Sequence, residues 1–149
     1  MRYSTVLKLR LREELKEATI TLPRYIVVGI GGVVIGMMAI WYFTEVVGLF
    51  YLVSGCLGAF LSILNDFTFN EIWTFSHRRR GERFTVKLAK RFSKFVASKA
   101  VGFFICIAAL AIFTQVAGFH YLISNFLAIG ASFIWNYTAS TFWVWSREK

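Results

Sequence analysis

Between Tyr25 and Asn65 the chain reads YIVVGIGGVVIGMMAIWYFTEVVGLFYLVSGCLGAFLSILN, and Glu45 is its one formal charge. From Ala100 to Ser146 there is no formal charge at all. A bilayer core about 30 Å thick takes roughly 20 apolar helical residues to cross. Each tract is about twice that length and predicts two spans joined by a short turn. A soluble core would need helices apolar on one face only, and these segments are apolar all round. The composition agrees: 57% of residues are apolar and 17% charged, against about 25% charged in a soluble domain. Mean hydropathy is +0.59.

The net charge of +9 suggests nucleic acid until the basic residues are located. Arg2, Lys8, Arg10, Arg12, Lys16 and Arg24 precede the first span. A second cluster, from Arg78 to Lys94, fills the middle connection, and Arg147 and Lys149 follow the last span. The short connections Thr44–Phe50 and Thr114–His120 hold no Lys or Arg. This is the positive-inside pattern, which predicts a multi-pass cell-membrane protein with both chain ends and the middle connection cytoplasmic. The basic clusters then face anionic membrane lipids or acidic partners, and no nucleic acid is expected. The amino end does not read as a signal peptide, because about twenty residues rich in charge come first.

Predicted spans run over Pro23–Phe43, Leu49–Phe75, Phe92–Phe113 and Phe119–Trp145, with Pro23 suited to a helix start. Residues 5–19 predict an amphipathic helix, with Leu7, Leu11 and Leu15 on one face, lying on the cytoplasmic leaflet. Trp41, Tyr42, Tyr51 and Tyr121 would form an outer aromatic belt, and Trp73, Trp143 and Trp145 an inner one. Cys56 and Cys106 fall inside spans and read as small buried hydrophobes rather than a disulfide or metal pair.

Shifting the sequence by 70 positions superposes its halves without a gap. Gly32/Gly102, Thr44/Thr114, Gly48/Gly118, Tyr51/Tyr121, Ser54/Ser124, Ser62/Ser132, Trp73/Trp143 and Ser76/Ser146 are among the identical pairs. Each copy holds two spans, so both enter the membrane from one side as parallel repeats. The expectation is an all-α membrane protein of four transmembrane helices, built as two parallel helix-hairpin repeats (about 22–78 and 92–148). A cytoplasmic amphipathic segment (1–21) precedes a transmembrane domain over 22–147.

The second and fourth spans carry a polar ridge. Ser54, Gly58, Ser62, Asp66 and Asn70 follow at intervals of four, and their repeat mates are Ser124, Ala128, Ser132, Asn136 and Ser140. Residues four apart form a ridge on a helix; small ones admit a neighbouring helix and polar ones bond across the contact. Gly29, Gly32 and Gly36 offer a matching face on span one. Packing alone accounts for Ser and Gly, whereas Asp66 demands more. A carboxylate within the membrane costs about 2.5–3.5 kcal/mol and takes a partner, a water cavity or a proton. At about 1.5 Å per residue Asp66 lies on the order of 14 Å inside the boundary near Phe75. Lys99 enters from the same side, either as counter-ion to Asp66 or Glu71 or as a chain snorkelling to the interface. Asn65, Asp66, Asn70, Glu71, Lys99 and Asn136 are therefore the candidate substrate-binding residues, with donors suited to a phosphate or sugar hydroxyls.

The paired segments Asp66-Phe67-Thr68-Phe69-Asn70-Glu71-Ile72-Trp73-Thr74-Phe75 and Asn136-Tyr137-Thr138-Ala139-Ser140-Thr141-Phe142-Trp143-Val144-Trp145, with four short-looped spans and a basic middle connection, resemble the GtrA-like family over about residues 22–147. Asp66 stands where the family often has Asn, and Glu71 where a basic residue often follows. The resemblance implies polysaccharide or glycoconjugate synthesis at the cell surface, by translocating (flipping) a polyprenyl-phosphate-linked sugar or by anchoring a membrane-associated glycosyltransferase. A thin four-helix wall implies a homo-oligomer or a hetero-complex. A small drug/proton antiporter would need an acid in span one, which has none. No enzyme is expected, since no nucleophile, metal set, cofactor motif or phosphate-cradling glycine loop appears, and His77 and His120 fall at opposite membrane faces.

Overall fold

The uncharged tracts fold into helix pairs. The computed structural model describes residues 2–79 and 84–146, with side chains described at 13, 15–78 and 87–146. Its long helices are α1 (Arg2–Trp41), α2 (Tyr51–Phe69), α3 (Phe84–Ala111) and α4 (Tyr121–Ala139), and the described residues include no strand. The chain divides at Ser76/His77. In the first unit α1 packs on α2, and in the second α3 packs on α4. Leu15–Val46, Tyr51–Thr74 and Lys87–Val116 are long and apolar enough to cross a membrane. α4 matches α2 at 19 residues and carries no formal charge, though it is not among those three.

What is buried identifies the solvent. Thr21, Ser54, Asp66, Asn70, Glu71 and Thr74 are buried in the first hairpin, while Val33, Met37, Met38 and Phe60 are more than half exposed. In water this distribution would be inverted. In lipid, tails as apolar as leucine give no reward for burying leucine, and polar groups turn inward to find partners. The same holds in the second hairpin, where Ser98, Ser124, Ser140 and Thr141 are buried and Phe103, Phe104, Phe126 and Ile134 exposed.

Both hairpins turn in the same way. A π-turn, Tyr42–Val46 or Ile112–Val116, ends the first helix of each. Gly48 and Gly118 follow at φ +77° and +71°, a conformation that favours glycine. They let Leu49 N–H reach Phe43 O at 2.9 Å and Phe119 N–H reach Phe113 O at 3.0 Å. The second helix of each hairpin also closes in a π-turn, Asn70–Thr74 or Ser140–Val144. Phe75 N–H donates to Asn70 O at 2.8 Å and Trp145 N–H to Ser140 O at 2.9 Å. This widening turns Asn70, Glu71, Thr74 and Phe75 all inward.

Several expectations are corrected. Pro23 does not start a helix: it lies inside α1, which runs unbroken from the amino-terminal segment into span one. The missing N–H of Pro23 takes away the usual helical donor of the Thr19 carbonyl, a loss tolerated in membrane helices; nearby, the Thr19 hydroxyl donates to Lys16 O at 2.7 Å and the Thr21 hydroxyl to Glu17 O at 3.0 Å. The side chains of Leu7 and Leu11 lie outside the described residues, and Leu15 is exposed. Trp145 is not a belt residue: it is buried and packs on Phe95, ring centroids 5.6 Å apart at 63°. Gly29 is not in the helix contact, since a Cβ there would meet nothing within 4 Å. Cys56 is exposed rather than buried.

Candidate functional site

In the first hairpin the four-residue ridge of α2 faces α1. Ser54, Gly58, Asp66 and Asn70 are buried and Ser62 half-buried. Gly58 meets Gly36 closely: a Cβ on Gly58 would lie 2.8 Å from Gly36 O. One turn away Asp66 lies against Gly32, where a Cβ would overlap its Oδ1 and stand 2.9 Å from its Cγ and 3.1 Å from Ser62 Oγ. Only a glycine admits the carboxylate there. The second hairpin repeats this arrangement with an amide. A Cβ on Gly102 would come within 2.6 Å of both Nδ2 and Oδ1 of Asn136, and Asn136 Nδ2 donates to Ser132 Oγ at 3.3 Å.

The ridge of the first hairpin leads into a buried polar end. Thr21 of α1 and Asn70, Glu71 and Thr74 of the π-turn are each at most 3% exposed. Asn70 Oδ1 and Thr74 Oγ1 are buried without a hydrogen-bond partner, each at a cost of about 1–3 kcal/mol. They are acceptors presented inside an apolar shell. Aromatic packing closes this end, with the rings of Tyr25 and Phe75 6.4 Å apart at 64°. Arg24 donates from Nη1 to Trp73 O at 3.2 Å and lies 5.5 Å from the Trp73 ring centroid, a cation on the negative end of the helix.

In the second hairpin Lys94 does the same, donating to Trp143 O at 3.2 Å and lying 5.8 Å from that ring. Arg78 adds bonds from Nη1 to Thr141 O at 2.6 Å and Trp145 O at 3.3 Å. Lys99 is half-buried, its Nζ 5.2 Å from the Phe95 ring centroid. Ser98 Oγ and Thr141 Oγ1 are buried without a hydrogen-bond partner.

The six residues singled out from sequence thus divide. Asp66, Asn70 and Glu71 share the inward side of the first hairpin, and Lys99 and Asn136 belong to the second. Asn65 points elsewhere: its Nδ2 is 3.8 Å from where a Cβ on Gly31 would be, beside an outward groove. Thr21, Thr74, Ser98 and Thr141 were not foreseen. Thr74 continues the four-residue ridge past Asn70 and could have been read from that spacing, whereas Thr141 lies one position off the ridge after Asn136 and is brought inward by the π-turn. Among the described residues no three His, Cys, Asp or Glu side chains are grouped to hold a metal ion.

Residues 24–145 match the model of the GtrA/DPMS transmembrane domain. The chain belongs to that family. The GtrA/DPMS match begins at Arg24 and ends at Trp145, and so takes in both hairpins with their closing cations. A relative within reach is the dolichol-phosphate mannosyltransferase of Pyrococcus furiosus, 30% identical over 123 residues. That alignment covers 83% of this chain and 33% of the relative. The chain therefore spans about a third of the length of the relative it matches.

Proposed function

We propose that this protein moves the sugar-bearing phosphate head of a polyprenyl-phosphate lipid across the membrane, without chemistry on the lipid. The observation that carries the reading is the buried polar lane of the first hairpin: Ser54, Ser62, Asp66, Asn70 and Thr74 along one side of α2 and its π-turn. Packing accounts for its serines, but placing Asp66, Asn70 and Thr74 within the hydrocarbon costs several kcal/mol, which supports a polar ligand. A polar head passing the bilayer needs such acceptors and donors, while its chain stays in lipid. Asp66, Asn70 and Glu71 are the proposed contacts in the first hairpin, and Lys99 and Asn136 those in the second. The relative's name supports the lipid class, since dolichol phosphate is a polyprenyl phosphate. Both chain ends and the basic middle connection are assigned to the cytoplasm, where lipid-linked sugars would be received from a glycosyltransferase.

Reconstitution tests this directly. Purified protein in liposomes carrying a polyprenyl-phosphate sugar should speed head-group transfer between leaflets, and Asp66→Leu with Asn70→Leu should remove the effect while leaving the helical signal intact.

A second reading has its own observation. The relative is about three times longer than the stretch it shares with this chain, which fits a membrane anchor serving a separate glycosyltransferase. On that reading the liposomes show no transfer, and the protein still binds its enzyme partner through the basic middle connection.

A further inference from the structure

The two hairpins share a plan, and the outward face of the first carries a groove. Between α1 and α2 lies a groove of about 640 Å³, lined by Val27, Gly31 and Ile35 on one side and Asn65, Phe69 and Trp73 on the other. Val27, Ile35, Phe69 and Trp73 are exposed, so the groove opens to the surroundings of the protein. It exists because Gly31 has no side chain and Asn65 a short one. At the matching positions of the second hairpin stand Val101 and Trp135. There the Trp135 indole lies across the helix pair and donates to Ser98 O at 3.2 Å. The fold thus carries, in its own repeat, the pair of residues that fills this space.

The groove has a direction. From Val27 to Ile35 on α1, and from Asn65 to Trp73 on α2 and its π-turn, each wall is about 12 Å long at 1.5 Å per residue. Trp73 stands at one end, and over its ring lies the Arg24 guanidinium. Arg24 uses one nitrogen on Trp73 O, and a guanidinium has five donors in a planar fork suited to phosphate. A hydrocarbon trough that ends at a cation at the membrane interface is complementary to a single-chain anionic amphiphile. Phospholipids place two chains side by side, whereas a polyprenyl phosphate has one chain and one phosphate. The α1 wall of the groove presents the methyl branches of Val27 and Ile35, and the α2 wall the rings of Phe69 and Trp73.

We propose that this groove seats the first isoprene units of a polyprenyl phosphate, with Arg24 on its phosphate. The lipid class rests on the function proposed above; the seat does not depend on transport. It would hold the chain on the outer surface of the first hairpin beside the buried lane that α2 presents on its other side.

The test is photolabelling in liposomes with a diazirine on the chain of polyprenyl phosphate, and in parallel on phosphatidylglycerol and on the uncharged polyprenol. The expected result is labelling of the peptides carrying Val27–Ile35 and Asn65–Trp73 by polyprenyl phosphate. Gly31→Val with Asn65→Trp, the residues of the second hairpin, should cut that labelling roughly tenfold, and Arg24→Gln should bring it down to the level of polyprenol, as loss of a charge-assisted contact predicts. Val27→Trp adds bulk where the side chain is 56% exposed, so it fills the groove without disturbing the helix contact and should give the same loss. Equal labelling by phosphatidylglycerol, unchanged labelling in both filled variants, or crosslinking of the groove to a second protein chain would overturn the seat. Labelling without head-group transfer would keep the seat and remove the transport reading; head-group transfer by the native protein with no labelling of the groove by polyprenyl phosphate would do the reverse.

Discussion

Replacing Gly58 by alanine should separate α1 from α2, and Gly55 provides the control on the same helix. A Cβ on Gly58 would lie 2.7 Å from Ile40 Cγ1 and 2.8 Å from Gly36 O, while one on Gly55 meets nothing within 4 Å. The Ile40 side chain can rotate away. The Gly36 carbonyl is backbone and cannot move unless its helix does. Ordinary contact begins near 3.4 Å, so α1 must shift by about 0.6 Å, a gap that forfeits a quarter to a half of each van der Waals well along the contact. Overpacking of this kind costs about 1–3 kcal/mol. Both substitutions gain the same helix propensity, roughly 0.5–1 kcal/mol. The difference between them therefore isolates packing, and Gly58→Ala should be the less stable by about 1–3 kcal/mol. Reversible unfolding in mixed detergent micelles, followed by circular dichroism, measures this difference. Stabilities of the two variants within about 0.5 kcal/mol of each other, the scatter of ordinary surface substitutions, would refute the close approach.

Gly32→Ala should push the Asp66 carboxylate out of its place, lowering head-group transfer more than stability; Gly102→Ala should do the same to Asn136, and transfer rates with unfolding curves check both. Asp66→Asn installs the second hairpin's own residue at the matching position. It should keep the fold and reduce transfer by about tenfold if the carboxylate contributes one charged contact, with liposome assays as the readout. Arg24→Gln and Trp73→Ala should show a coupling of about 0.5–1 kcal/mol in a double-mutant cycle of unfolding, the size of a part-exposed cation–π contact. Lys94→Gln with Trp143→Ala should give a matching value.

The architecture was legible because the bilayer imposes coarse rules. Charge-free length fixed the number of helices, and the shift of 70 positions fixed their pairing. The four-residue ridge was legible too: Ser54, Gly58, Asp66 and Asn70 are all buried as their spacing implies. What escaped depends on local backbone geometry. The π-turn Ser140–Val144, which brings Thr141 inward one position off the ridge, leaves no period to read. Pro23 looks like a boundary because its missing N–H breaks a soluble helix, but α1 runs through it. Trp145 was assigned to an interfacial belt on residue type, although its repeat mate Phe75 is an ordinary core residue. Asn65 and Asp66 read alike as polar candidates by residue type, yet adjacent helical residues point about 100° apart, and the structure gives one to the groove and the other to the lane. The groove itself is marked by where the repeats differ, Gly31 against Val101 and Asn65 against Trp135, and identities alone do not display a difference.

Two hairpins that each cross the bilayer and return place their turns and their ends on opposite sides, and cysteine labelling in intact cells is the decisive measurement. With Cys56 and Cys106 replaced by alanine, single cysteines at Glu45, Gln115, His77 and Ser146 should divide into two classes. Positions 45 and 115 should react with an impermeant maleimide from outside, and 77 and 146 only after the membrane is opened. Reaction of 77 or 146 in sealed cells, or protection of either 45 or 115, would contradict that placement.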